Sequence, residues 1–279
     1  MRFRANLENS KTLSKLVTLL SKINSQINLR LSPSLIYFSS ADSIQVFAQI
    51  DVSLFFSDMI CESLNNNLIS IQIVNSSHLI QALSSCSDSE SSLKLSKVNN
   101  LPVLLFSILQ QNDTGRSVTV SQKVPIRVIS PDQMISEPEY PLASVHISLP
   151  PLQSLLNILD KIKHVSPIIN ISANMSGNLK LHANTDLVDV STVFNNLSHP
   201  ELDPMQLDVE NHPSNKRDCG VFAHASVDLK KLSSFCQVNV LSPSNCVLCI
   251  VEGVCLNLYV YLGENGDGGC LTYFIPVRL

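Results

Sequence analysis

Charge is scarce in this sequence. Only 15 % of its 279 residues are Asp, Glu, Lys or Arg, against 44 % hydrophobic, and the mean hydropathy is +0.19. That balance excludes the disordered class and fits a packed globular chain. Long apolar runs are missing as well: no window reaches the roughly 18 uninterrupted apolar residues of a membrane span. The opening MRFRANLENSK lacks the apolar core of a signal peptide, so a soluble protein that stays inside the cell, away from membranes, is expected. Glycine is limited to eight residues. None of them builds a P-loop or a G-x-G-x-x-G turn, so nothing here cradles a nucleotide. G-x-S-x-G and H-E-x-x-H are absent, no carboxylate pair sits on a recognisable scaffold, and the seven histidines are scattered. The expectation is a binding protein with no catalytic residues and no cofactor.

Eight cysteines are present, and without a secretory signal they read as reduced thiols. Cys246-Val-Leu-Cys249 has C-x-x-C spacing but lies in an apolar strand pattern. Residues three apart on a strand point to opposite faces, so two packed thiols are expected there rather than a metal site. A thiol-dependent or zinc-binding cytosolic enzyme using Cys246 and Cys249 is the alternative from another class. Gly263–Gly269 is acidic and Gly-rich but lacks the alternating carboxylates of a calcium loop; a hairpin connection accounts for it.

What is present is a long series of short strands. Apolar or period-two runs occur at Arg2–Leu7, Ile27–Leu31, Leu35–Ser39, Ile44–Ile50, Leu68–Val74, Leu101–Ser107 and Ser117–Val124. A second series occupies Ser144–Leu149, Ile168–Ala173, Asn178–Ala183, Val188–Phe194, Val221–Ser226, Cys246–Val251, Val254–Leu262 and Cys270–Val277. Helical periodicity is confined to Ser10–Asn24, Ser76–Cys86, Pro151–Val165 and Val227–Gln237. The order strand, helix, strands, helix, strands therefore occurs twice, which predicts an α+β fold of two tandem copies of one unit. The predicted division is an N-terminal domain over 1–124, a Pro-rich extended connector over 125–141 and a C-terminal domain over 142–279. Ser84–Ser92 and Ser198–Gly220 read as loops.

The first helix carries the functional signal. At about 100° per residue, Lys11, Lys15, Thr18 and Lys22 share one side, and Leu13, Leu16, Val17, Leu20 and Ile23 the other. Three ammonium groups then lie along roughly 16 Å of helix. Glu8 precedes it, where a carboxylate suits the positive end of the dipole. The third helix is expected to expose Gln153, Asn157, Lys161 and His164, and the fourth Lys230, Ser233, Ser234 and Gln237. The second offers His78, Gln81 and Ser85. Together the four segments hold seven of the nineteen basic residues (Lys11, Lys15, Lys22, Lys161, Lys163, Lys230, Lys231) and only two of the twenty-three acids, Asp160 and Asp228. A solvated amphipathic helix would look the same in isolation. The uneven distribution on a chain of net charge −4 favours loose, sequence-independent contact with phosphates.

At the level of motifs the chain resembles the sliding clamps related to PCNA, and more closely the Hus-type subunit of the nine-one-one DNA-damage checkpoint clamp, its fungal members above all. The resemblance is carried by Met1-Arg-Phe-Arg-Ala5, Leu29-Arg-Leu-Ser-Pro33, Pro125-Ile-Arg-Val-Ile129, Ser172-Ala-Asn-Met-Ser-Gly177, His199-Pro-Glu-Leu-Asp-Pro204, Leu258-Tyr-Val-Tyr261 and Leu271-Thr-Tyr-Phe-Ile-Pro276. These run in order from end to end.

The resemblance implies two PCNA-like domains with helices on the inner face and antiparallel sheets outside. It further implies a nuclear ring (with a cytoplasmic pool) of this chain with Rad-nine-type and Rad-one-type clamp subunits. A checkpoint clamp loader would place that ring around double-stranded DNA, where it would help activate the checkpoint kinase and recruit repair enzymes. On the clamp pattern the DNA-facing residues are Lys11, Lys15, Lys22, Lys161, His164 and Lys230. Subunit edges would be Arg116, Val118, Val120 and Val124 on one side, and Asp186, Val188, Val190, Thr192 and Phe194 on the other. A partner pocket would involve Ile126, Val128 and Pro276. A homotrimeric replication clamp is the alternative within the class.

Overall fold

A computed structural model describes the whole chain except Asp88, 112–116, 201–213, 215–216, Asn265 and Leu279. The chain divides into two compact units. The first comprises 1–42, 46–137 and 267–270, and the second 43–45, 138–266 and 271–279. No described helix is long and apolar enough to cross a membrane.

The first unit opens with β1 (Arg2–Leu7), which leads through Asn9 into α1 (Ser10–Ser21). The Asn9 side chain accepts a hydrogen bond from the Thr12 backbone N–H at 3.2 Å, satisfying one of the helix's orphan donors. Glu8, just before the helix, accepts from the Ser57 hydroxyl. Strands β2 (Ile27–Leu31), β3 (Leu35–Ala41), β4 (Gln45–Asp51), β5 (Phe56–Glu62) and β6 (Ile69–Ile73) follow, then α2 (Ser76–Ser85). The unit ends with β7 (Glu90–Val98), β8 (Leu101–Gln111) and β9 (Ser117–Val128). The strands lie in the order β4-β3-β2-β6-β9-β8-β7-β1-β5. Leu16, Leu20, Phe3, Phe55 and Phe106 form its fully buried centre.

The second unit repeats the plan. β10 (Val145–Ser148) precedes α3 (Leu152–Ile162), and β11 (Ile168–Ala173), β12 (Leu179–Asn184), β13 (Asp189–Phe194) and β14 (Ala223–Asp228) come next. The last helix, α4 (Leu229–Cys236), is capped by the Asp228 carboxylate on the Lys230 N–H at 2.9 Å. β15 (Asn245–Val251), β16 (Cys255–Leu262) and β17 (Gly269–Pro276) complete it. Two sheets result, ordered β10-β15-β16-β17 and β13-β12-β11-β14. Phe235 and Tyr273 meet edge-on at 5.2 Å in the centre of this unit.

Two local readings are corrected, and one strand, β5, has no counterpart in the sequence pattern. Ser84–Ser92 is not a loop throughout, because α2 ends at Ser85 and β7 begins at Glu90. β5 has no clean alternation because its ladder with β1 contains an irregularity: Arg4 faces Ile60 but Asn6 faces Ser57, and Asp58 has φ 47°. The extended connector does not begin at Pro125, since β9 continues to Val128. Pro125 faces Val103 of β8, while the ladder with β6 starts only at Ile126, so the missing N–H falls before that second ladder begins.

One ion pair ties down the entry to β14. Arg217 reaches both Glu252 carboxylate oxygens at 2.7 and 3.2 Å and donates to the Phe222 carbonyl at 2.7 Å. The Arg217 hydrogen bonds hold the Glu252 carboxyl below its usual range against partial burial, helped by the Arg217 charge and the His224 N–H. An acid whose folded-state pKa is depressed stabilises the fold above its unfolded value, near 4.3, and loses that contribution as the pH falls through the folded value. Thermal unfolding of Glu252→Gln is therefore expected to show a deficit of about 1 kcal/mol at pH 7, kept small by solvent screening, that closes below about pH 4. An unchanged deficit at pH 3 would remove the ion pair as its cause.

Candidate nucleic-acid interface and subunit edges

Helix α1 divides cleanly. Leu13, Leu16, Val17, Leu19 and Leu20 are buried, whereas Lys11, Lys15 and Lys22 are exposed. Thr18 lies between them, its hydroxyl returned to the Ser14 carbonyl at 2.7 Å. No acid stands in the first turn. The three cations are thus held in a row by burial of the opposite side.

The second unit carries a sparser version. In α3 the apolar residues Leu152, Leu155, Leu159 and Ile162 are buried and Gln153, Asn157 and Lys161 exposed, with His164 exposed in the turn just past the helix end. Lys161 stands in the last turn, where a cation also suits the negative helix end. Lys163 is paired with Asp160 at 2.7 Å, which neutralises it locally. On α4, Lys230 is exposed and Lys231 half-buried. On α2, His78 and Gln81 are exposed, while Ser85 accepts from Gln122 of β9 at 2.9 Å.

Both proposed subunit edges lie at strand margins. β9 pairs with β8 over Ser117–Pro125 and with β6 only over Ile126–Val128, so its other side is unpaired along 117–125 among the described residues. Among the described residues β13 is the terminal strand of its sheet and pairs only with β12. Open edges of this kind template pairing with another chain.

The residue assignments need correction in detail. Val124 is 1 % exposed and Ile126 6 %, because the two-residue period of β9 turns these side chains into the unit's own core. Neither can offer its side chain to a partner. Val118 is exposed and Val120 half-buried; Arg116 lies outside the described residues. On the other edge, Val190, Thr192 and Phe194 are half-buried within β13. Asp186 and Val188 instead belong to the turn before it, where the Val188 carbonyl and N–H bond back to Thr185. Val128 is exposed in the first unit and Pro276 exposed in the second.

Burial pushes the thiols of Cys236 and Cys249 up to about 12, which suppresses the reactive thiolate. Among the described residues no three His, Cys, Asp or Glu side chains gather as a metal site would require.

The Hus1-like protein family model matches residues 1–278 of this chain. The chain belongs to the Hus1-like family. Among curated relatives, the Hus1-like chain is 35 % identical to the checkpoint protein hus1 of Schizosaccharomyces pombe, covering 99 % of this chain and 98 % of that one. It is 30 % identical to the checkpoint protein hus1 homolog of Dictyostelium discoideum, covering 100 % and 99 %. Among solved structures, the proliferating cellular nuclear antigen of Entamoeba histolytica superimposes with a TM-score of 0.73 at 16 % identity, covering 99 % of each chain. At that identity the likeness establishes the fold: the Hus1-like chain has the sliding-clamp architecture, rich in antiparallel sheet, that its motifs imply.

Sequence reasoning missed the β7–β8 hairpin, and a signal was available. Asn99 and Asn100 have φ of 50° and 62°, the two-residue turn with both centres left-handed that Asn favours.

Proposed function

We propose that this chain is one subunit of a heterotrimeric DNA clamp that encircles double-stranded DNA at damage sites, without an active site of its own. The observation that carries this is α1: three exposed lysines in a row on a sliding-clamp fold of the Hus1-like family. A stripe of flexible ammonium groups contacts phosphates without reading bases, so the ring is retained by topology and slides. Its partners are a Rad-nine-type and a Rad-one-type clamp chain, added at the open edges of β9 and β13. Pairing that is head-to-tail rather than two-fold closes into a ring when the rotation allows. A checkpoint clamp loader opens the ring, and the loaded ring acts in the nucleus as a platform for checkpoint kinase activation and repair enzymes.

Light scattering coupled to size-exclusion chromatography tests the assembly. The chain alone is expected to run as a monomer and, with both partner chains, as a 1:1:1 complex. A stable trimer of this chain alone would favour a homotrimeric replication clamp instead.

A further inference from the structure

The sheet β13-β12-β11-β14 has one side packed inward through Ile169, Ile171, Leu179, Leu181, Ala225 and Val227, all buried. Its other side is polar and carries a cavity of about 340 Å³ lined by Asn170, Ser172, Lys180, His182, Phe222 and His224. None of these residues belongs to the helix faces or the strand edges of the clamp reading.

The hydrogen bonds around this cavity fix which groups remain free to act. Ser172 is 7 % exposed, with its Oγ 2.8 Å from His224 Nδ1. In that pair the serine donates to the ring when the ring proton is on Nε2, the tautomer whose N–H faces away from the serine. Ser226 donates to Asn170 Oδ1 at 2.5 Å, which leaves the Asn170 –NH2 as the amide's remaining donor. Lys180 adds an ammonium that makes no ion pair among the described residues. The neighbouring carboxylates are both engaged: Asp189 by His182 at 2.8 Å, and Glu252 by Arg217 at 2.7 Å. The Phe222 ring lies beside His224 at 6.4 Å and supplies an apolar wall.

A recess that presents donors and one cation without an ion pair among the described residues, with its nearby carboxylates held by other hydrogen bonds, suits an oxyanion. We propose that this face binds a terminal phosphoryl group, gripped by Lys180, the His224 Nε2–H and the Asn170 amide, with Ser172 acting as a positioning residue that sets the imidazole tautomer. Two sources share that chemistry, inorganic phosphate and a phosphoserine side chain of a partner protein.

The test uses the full-length chain labelled with ¹⁵N and titrated separately with inorganic phosphate and with O-phosphoserine blocked at both ends. Shifts confined to amides of β11, β12 and β14 are expected. Lys180→Ala should weaken binding about tenfold, as loss of a charge-assisted contact does, and Lys180→Arg should restore most of it. Ser172→Ala should weaken binding while leaving the melting temperature close to that of the parent. Tighter binding of phosphoserine than of phosphate assigns the site to a modified partner; equal binding assigns it to the free anion. Absence of shifts with both probes would overturn the proposal, as would binding indifferent to Lys180→Ala. Saturation of the same amides by a short DNA duplex in place of either probe would overturn it too. Because the clamp reading rests on other residues, either result leaves that reading standing.

Discussion

Replacing Lys11, Lys15 and Lys22 together by Glu should reduce retention of the assembled clamp on DNA by at least about tenfold at physiological salt, and more at low salt. Each phosphate contact contributes a slope of about 0.9 to the dependence of log affinity on log salt, so losing three contacts flattens that dependence by roughly 2.7. Reversal of sign adds repulsion to the loss. Because the three side chains are exposed and Leu13, Leu16, Val17 and Leu20 hold the helix from the other side, folding and subunit assembly should be untouched. The measurement is dissociation of the loaded ring from a circular duplex across a salt series, with assembly followed in parallel by light scattering. Failure to assemble would mean that the lysines serve the fold or the subunit contacts, and the sliding surface would have to be sought elsewhere.

Phe235→Ala carries the largest expected effect on stability. Phe235 is fully buried at the end of α4, and its ring meets the equally buried Tyr273 edge-on at 5.2 Å. Truncation removes the transfer free energy of the ring and leaves a cavity that β15, β16 and β17 are too tightly paired to close. A loss of about 3–5 kcal/mol is expected, with part of it arising from the aromatic pair itself. The denaturant midpoint of the full chain measures this. A loss under about 1 kcal/mol would mean that the core relaxes around the gap, and that α4 is held chiefly by its cap at Asp228.

The contrast between these two predictions follows from where each side chain's role is decided. The lysine stripe of α1 was legible directly, because a helix places residues three and four apart on one side regardless of what surrounds it. The same held for α3 and the turn just past it, where Lys161 and His164 are exposed and Leu155 and Leu159 buried. The edge strands were only half legible. Alternation in β9 was visible, but not which half of it turned inward. Val124 and Ile126 lie in the core because β9 pairs with β8 and then with β6. That choice of neighbours involves residues far apart in the chain. At the other edge, the Thr185 side chain closes a turn that removes Asp186 and Val188 from the strand.

The sequence by itself determined the α+β order, the buried and exposed sides of the helices, the clustering of cations on those helices, and the motifs of the Hus1-like family. These are local or linear properties, set by a period of 3.6 or 2 and by residue identity. Only the tertiary structure decided that β5 exists as a strand, that β9 runs through Pro125, and which strand margins stay open. It alone brought Ser172 to His224 and Asn170 to Ser226, pairs that stand 52 and 56 residues apart in the chain. Pairing across a sheet depends on which strands become neighbours. That outcome is settled by the combined burial of the whole unit rather than by any one segment.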